Sequence, residues 1–192
     1  MIHTKTLWFF FLLLGISSLT FFSGCNLDKT DFSQTAEEVN RKSPIAIASV
    51  KQDGTYIKVV YGQPYRRGRT IFGDLEAWGE VWRAGANEAT EITITEPILM
   101  GDQAIKQGTY ALFAIPGPEE FTIILNHELG QWGAFEYKPE RDYKRMNFPV
   151  KNLETPVEAF TIEFTKPEYS MTTMKLKWDL IQVDIPIRFY GE

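Results

Sequence analysis

A short polar and aromatic segment, residues 78–90, holds the side chains best suited to chemistry. Arg83 precedes an Ala-Gly-Ala turn, and Asn87 and Glu88 follow it. An arginine binds carboxylates and other anions through paired hydrogen bonds, an asparagine amide donates hydrogen bonds, and a glutamate accepts them or acts as a base. One interpretation of this arrangement is therefore a ligand site in which Arg83 holds an anionic group.

A structural interpretation of the same residues is the one we favour. Glu88 is four residues before Ile92 and six before Ile94, and residues at even spacings along a strand face the same side of the sheet. A strand that extends back to residue 88 would therefore direct the Glu88 carboxylate inward, like the two isoleucines. A buried carboxylate needs a partner, and Arg83 lies just across the turn. We expect an internal Arg83–Glu88 ion pair that fastens the turn to the sheet, because such pairs are also found away from functional sites.

Other side chains extend the candidate surface. Arg69 belongs to a basic group with Arg66 and Arg67, which is either a solvated turn or a contact to a carboxylate or phosphate. Trp132 follows Gln131, and a flat aromatic ring beside amide and carboxylate groups suits a sugar, although large aromatics in β-domains are more often core residues. The candidate ligand-binding residues are Arg69, Arg83, Asn87, Glu88, Gln131 and Trp132.

Several catalytic classes are disfavoured by what the chain contains. Beyond the first 24 residues there is a single histidine, His127, whereas a catalytic zinc site usually has two or three. His127 could act as a general base oriented by Glu128, but neighbouring strand residues point to opposite faces. No nucleophile elbow, phosphate-binding loop or calcium loop is present. We therefore predict neither a metal nor a cofactor.

The N-terminal segment reads as a bacterial lipoprotein signal. One lysine is followed by a long apolar run, residues 7–22, and Ser23-Gly24 then precedes Cys25, the only cysteine. We predict that residues 1–24 are removed and that Cys25 is lipidated; the alternative is an uncleaved membrane anchor, which needs roughly 20 apolar residues. Asn26 after the cysteine favours the outer membrane.

The next segment and the net charge limit the partners. Residues 25–44 are polar and lack periodicity, which predicts a flexible tether. Residues 1–24 carry one lysine and no acid, so without them the formal net charge changes from −5 to −6. An acidic chain is a poor match for nucleic acid, and the predicted partners are the membrane and an envelope ligand or protein.

Alternating apolar and polar residues from Ile45 onward predict the strands that position the candidate surface. Asp53-Gly54 between two such runs is a hairpin signal, and residues 109–115 and 121–126 are apolar on both faces, as in central strands. Short helical turns are expected around residues 73–82. The pattern predicts an all-β fold in which residues 45–192 form a single antiparallel, jelly-roll-like β-sandwich.

Five strings of this sequence resemble a bacterial family of unknown function, DUF2911. They are Tyr-Gly-Gln-Pro (61–64), Gly-Arg-Thr-Ile-Phe-Gly (68–73), Gly-Glu-Val-Trp-Arg-Ala-Gly-Ala-Asn-Glu-Ala-Thr (79–90), Gly-Thr-Tyr-Ala-Leu-Phe-Ala-Ile-Pro-Gly (108–117) and Leu-Gly-Gln-Trp-Gly (129–133). The resemblance covers nearly all of residues 50–187 and implies a secreted or lipid-anchored envelope protein, without implying a reaction.

These observations favour an envelope lipoprotein that binds a small polar or glycan-like ligand, or a protein partner, without catalysis. The alternative is a metal-independent hydrolase or lyase with Glu88 as acid or base and Arg83 as charge stabiliser. A second carboxylate across a cleft from Glu88 would favour glycosidase-like chemistry.

Overall fold

The computed structural model describes residues 41–190, and these residues form an all-β sandwich. The predicted signal peptide, Cys25 and most of the predicted tether lie outside the described residues. The strands are β1 Ile45–Gln52, β2 Thr55–Gly62, β3 Thr90–Ile94, β4 Ile98–Met100, β5 Gln103–Ile105, β6 Gly108–Ile115, β7 Glu120–Asn126, β8 Asp142–Phe164 and β9 Met171–Phe189.

All nine strands belong to one antiparallel sheet in the order β1-β2-β3-β6-β7-β8-β9-β4-β5. The 23-residue β8 is shared between two halves, because residues 142–149 pair with β7 and residues 150–164 pair with β9. Register shifts between Asn152 and Thr161 mark irregularities in the second half. In the described part of the chain the sheet stays open, with β1 and β5 at its edges.

The β1–β2 hairpin forms where the sequence predicted it. Asp53 and Gly54 have φ angles of 47° and 79°, and their flanking residues Gln52 and Thr55 pair directly. Two consecutive positive φ angles define the tight turn whose twist matches that of the strands, and Asp-Gly is among its preferred pairs. The hairpin prediction is confirmed.

Aromatic rings fill the core beneath the candidate surface. Trp82 is only 3% exposed and lies between Trp178, at a ring distance of 5.8 Å, and Phe160, at 5.0 Å. Its indole Nε1 donates a hydrogen bond of 3.1 Å to the carbonyl of Gly85. Trp82 is therefore a core residue that fixes the turn after Arg83.

The strands β6 and β7 are covered on both faces, as their sequences predicted. Leu112 faces the main core, while Phe113 belongs to a second cluster with Ala89, Ala111 and Ile124. The loop after β7 covers this second cluster through Ala134 and Tyr137. The central position of the two strands follows from this double burial.

The helical turns expected around residues 73–82 are not formed. That segment consists of turns and two isolated bridges, Phe72 with Glu76 and Trp82 with Ala114. Gly73 and Gly79 have φ angles of 87° and 80°, which a right-handed helix does not accommodate. Within residues 41–190 the single helix is a 3₁₀ turn, Pro139–Arg141, and no helix there has the length and apolar character needed to cross a membrane.

Candidate functional site

A cleft of ≈ 250 Å³ opens where the first three strands meet two loops. In the sheet Val60 of β2 pairs with Glu91 of β3, and Ile45 of β1 pairs with Gly62. Side chains of neighbouring strands that share a face stand about 5 Å apart, so β1, β2 and β3 supply one wall. The lining residues are Ile45, Val60, Tyr61, Gly62, Glu88, Ala89, Glu91 and Gly130.

Glu88 stands at the rim of this cleft and not in the core. β3 begins only at Thr90, and Asn87 has a φ angle of 63°, so the chain turns just before Glu88. The side chain of Glu88 is 45% exposed. The prediction that the Glu88 side chain points inward is wrong. Side chains alternate between the two faces of a sheet only while the backbone stays extended.

The partner of Glu88 is Arg41. The two guanidinium nitrogens Nη1 and Nη2 donate to Oε2 and Oε1 of Glu88, each at 2.7 Å. These hydrogen bonds from Arg41 lower the pKa of Glu88 below its ordinary value, against the smaller opposing effect of desolvation. The expected Arg83–Glu88 pair is not formed among the described residues.

Arg41 begins a strap, residues 41–44, that is bound to the domain at each residue. The carbonyl of Lys42 accepts a hydrogen bond from Arg67, that of Ser43 from Asn87, and that of Pro44 from the backbone of Gln63. The strap is the end of the segment interpreted as a flexible tether. In the structure these four residues form part of the folded unit.

Glu91 is the second carboxylate of the cleft. Its Oε1 accepts a hydrogen bond of 3.0 Å from the backbone N–H of Gly130, which ties β3 to the loop after β7. Glu91 is on the face of β3 opposite to Ile92, and both Glu88 and Glu91 line the cavity. An ionised carboxylate has no proton to donate and can only accept hydrogen bonds. The rim therefore suits a ligand with hydroxyl, amide or cationic donors.

Besides Glu88, three of the predicted residues lie in the two loops that border the cleft. The backbone of Trp132 forms an isolated antiparallel bridge with that of Glu88, and the residue is 60% exposed. Asn87 donates to the strap, and its carbonyl accepts from Gly133. Gln131 is buried, with its amide donating to the carbonyl of Glu128 at 2.8 Å. Asn87 and Gln131 therefore hold the loops in place, and of the three only Trp132 presents most of its side chain to solvent.

The two predicted arginines lie apart from the cleft lining. Arg69 donates to the carbonyls of Arg66 and Tyr65, so it stabilises its own turn. Arg83 has a buried Nε without a hydrogen-bond partner among residues 41–190. Burial raises the pKa of Glu76 to about 7, and the nearby charges of Arg83 and Arg69 oppose this rise only in part.

The His127–Glu128 acid/base pair is also not formed. The His127 ring packs against Tyr110 and Tyr143 at 5.5 and 5.1 Å, whereas Glu128 forms ion pairs with Lys138 and Arg141 at 3.3 Å. In the part of the chain that the structure describes, no three His, Cys, Asp or Glu side chains are grouped as metal ligands.

Sequence reasoning missed three residues of the site. The position of Glu91 could have been predicted, since Glu91 is the polar residue between two strand residues that face the core, and its side chain must therefore lie on the other face. Gly130 contributes a backbone N–H, which its side-chain type does not reveal. Arg41 had no local signal, because its role depends on Glu88, 47 residues later.

Comparison with known proteins shows the family. The model of the family described as "Protein of unknown function (DUF2911)" matches residues 43–187, so the chain belongs to this family. No curated protein and no solved structure gives a significant match. The matched range includes the cleft-lining residues but begins after Arg41.

Proposed function

We propose that this member of the DUF2911 family is an envelope lipoprotein whose cleft binds a small polar or glycan-like ligand without transforming it. The observation that carries the proposal is the cleft itself, in which an apolar floor of Ile45, Val60 and Ala89 lies beside the carboxylates Glu88 and Glu91. Clefts with an apolar floor and a few convergent polar groups are the usual form of small-ligand sites.

The exposed ring of Trp132 adds to this arrangement. Trp132 is paired with Glu88 in an antiparallel bridge, and paired residues direct their side chains to the same side. A ligand with one apolar face and several hydroxyl or amine donors would contact the ring and the carboxylates together. A saccharide has these properties.

Electrostatics favour binding over acid/base catalysis. A general acid at neutral pH needs a raised pKa, whereas the pKa of Glu88 is lowered by Arg41. The catalytic alternative also needs Arg83 beside Glu88, and Arg83 is not among the lining residues. We therefore propose a binding protein and not a hydrolase or lyase.

The envelope location is supported by the sequence before the folded domain. Ser23-Gly24-Cys25 after an apolar run favours lipidation of Cys25, and Asn26 directly after the cysteine favours the outer membrane. Labelling cells with radioactive palmitate should label the wild-type protein and leave a Cys25→Ser variant unlabelled. Equal labelling of both proteins would reject the anchor.

The binding proposal is tested by filling the cleft. Val60→Phe places a ring over the cleft floor, whereas Ile47→Phe adds the same ring at the paired position on β1, which does not line the cleft. A panel of neutral monosaccharides, amino sugars and butylguanidine should contain a compound that binds the wild type and Ile47→Phe but not Val60→Phe. Equal binding to both variants would place the site elsewhere.

A further inference from the structure

The rim of the cleft already holds one positively charged group, which belongs to the chain itself. The Arg41 guanidinium contacts both oxygens of Glu88 at 2.7 Å. This paired geometry is the one in which carboxylates recognise guanidinium groups of ligands and partner proteins. The contact shows which ligand chemistry Glu88 is positioned to accept.

We propose that the ligand of the cleft carries a guanidinium or primary ammonium group on an aliphatic stem, and that Arg41 is its displaceable internal substitute. The inference rests on the proposed function of the same cleft and specifies its ligand. Arg41 then acts as an autoinhibitory residue, because the ligand must replace it on Glu88.

The charge of the cleft favours a cation. Its eight lining residues include the carboxylates Glu88 and Glu91 and no lysine or arginine. One oxygen of Glu91, Oε1, is engaged by Gly130, while no hydrogen bond reaches Oε2 from residues 41–190. A cationic donor between the two carboxylates would replace Arg41 on one and find an open acceptor on the other.

The apolar floor accounts for the stem. Ile45 and Val60 lie beside the carboxylates, and long aliphatic stems of charged groups pack on apolar surface while the charged end reaches polar partners. Trp132, which bridges Glu88 and is largely exposed, offers a ring face to the same cation. A neutral sugar would leave the negative charge of Glu91 without a counter-charge.

Arg41 is suited to being displaced. The side chains of Arg41 and Glu88 are 29% and 45% exposed, and exposed ion pairs contribute little net stability. The remaining strap contacts use the carbonyls of Lys42, Ser43 and Pro44, so they do not depend on the guanidinium. The side chain can therefore leave Glu88 while the strap stays bound.

The test measures calorimetric binding to the full chain in detergent with three probes. N-acetylarginine amide presents the cation on a peptide unit, butylguanidine presents it on a free stem, and N-acetylcitrulline amide is a neutral control of nearly the same shape. The proteins are the wild type, Arg41→Gln, Glu88→Gln and the control Arg67→Gln, which removes a different strap contact.

The proposal predicts that Arg41→Gln binds the guanidinium probes about two- to sixfold more tightly than the wild type, because the weakly held competing occupant of Glu88 is gone. Arg67→Gln should bind like the wild type, Glu88→Gln should lose binding, and the citrulline probe should not bind. Tighter binding of N-acetylarginine amide than of butylguanidine would assign the cation to a peptide, and equal binding would assign it to a free small molecule.

Three results would overturn the proposal. They are equal binding of the citrulline and arginine probes, an Arg41→Gln affinity no higher than that of Arg67→Gln, and guanidinium binding that survives Glu88→Gln. If neutral sugars bind while neither the guanidinium probes nor the amino sugars of the panel bind, the cationic ligand is rejected and the proposed function stands. If no compound of the panel binds the wild type or Arg41→Gln, the cationic ligand and the proposed binding function are both rejected.

Discussion

Glu88 and Arg41 join the rim of the cleft to the strap that precedes the first strand. Two hydrogen bonds of 2.7 Å connect them across 47 residues of sequence. The pair is partly exposed, so it should contribute little to folding, and we propose that it controls ligand access to the cleft. This relationship replaces the internal Arg83–Glu88 pair expected from the sequence.

The first prediction concerns stability. Arg41→Ala and Glu88→Ala should leave the midpoint of thermal unfolding close to that of the wild type, because solvent screens the pair and each remaining charge can be hydrated. Thermal unfolding followed by circular dichroism at pH 7 measures this. A fall of more than about 8 °C in both variants would mean that the pair holds the fold together.

The second prediction concerns the pH dependence contributed by Glu76. Its pKa is raised from 4.5 to about 7, so between these values the folded protein binds more protons than the unfolded chain. The stabilising contribution of Glu76 to the free energy of unfolding is fully present below pH 4.5 and is lost as the pH rises through 7. Glu76→Gln, which stays neutral, should therefore gain stability relative to the wild type as the pH rises.

We expect this relative gain to be about 1–2 kcal/mol, after allowance for the partial exposure of the carboxyl group. Urea unfolding at pH 4.5 and pH 8 measures it, with the exposed Glu80→Gln on the same segment as the control. A constant difference between Glu76→Gln and the wild type across this range would show that Glu76 titrates normally.

The third prediction concerns the start of β8. Asp142 accepts hydrogen bonds from Asn126, Tyr137 and Arg145 at 2.8, 2.6 and 2.7 Å. Asp142→Ala leaves these donors without their acceptor and should cost about 2–4 kcal/mol, or roughly 5–15 °C in the unfolding midpoint. Asp74→Ala, at an exposed position, should have little effect.

The same variant should change the titration of Tyr137. Burial is the main cause that raises the pKa of Tyr137 to about 12, and the hydrogen bond and charge of Asp142 add to it. The pKa of Tyr137 should therefore be lower in Asp142→Ala, as measured by nuclear magnetic resonance of its ring. An unchanged value would mean that Asp142 does not hold the loop that covers the second cluster.

The fourth prediction concerns Gly62. A Cβ at this position would meet the backbone oxygen of Ala86, and the N–H of Ala86 also donates to the carbonyl of Gly62 at 3.0 Å. Gly62→Ala must displace the turn that leads to Glu88, so it should lower the unfolding midpoint and weaken ligand binding together. An unfolding midpoint and a ligand affinity equal to those of the wild type would show that the turn tolerates the displacement.

The fold was predictable because its strands and first turn are indicated by residues close together in the sequence. Asp53-Gly54 defines the first turn, and the alternation of Ile92 and Ile94 defines the inward face of β3. Such signals depend on residues a few positions apart, which one sequence contains. The segment around Gly73 and Gly79 was misjudged because positive φ angles at glycine are invisible in the sequence.

The site was less predictable because its contacts are between distant residues. Trp132 was recognised from its type, and the structure brings it beside Glu88. The pairing of Glu88 with Arg41 and not with Arg83 depends on the strap lying against the segment between β2 and β3. Local spacing favoured the nearer arginine, whereas the tertiary fold supplies the more distant one.

Mapping a bound compound by amide chemical-shift changes in the full chain tests the proposed cleft site most directly. The neutral sugars, amino sugars and butylguanidine of the panel are titrated in turn. A binding compound should shift the amides of the cleft residues Glu88, Ala89, Glu91 and Gly130 most strongly. Shifts concentrated instead around residues 165–173, which line a separate depression, would contradict it.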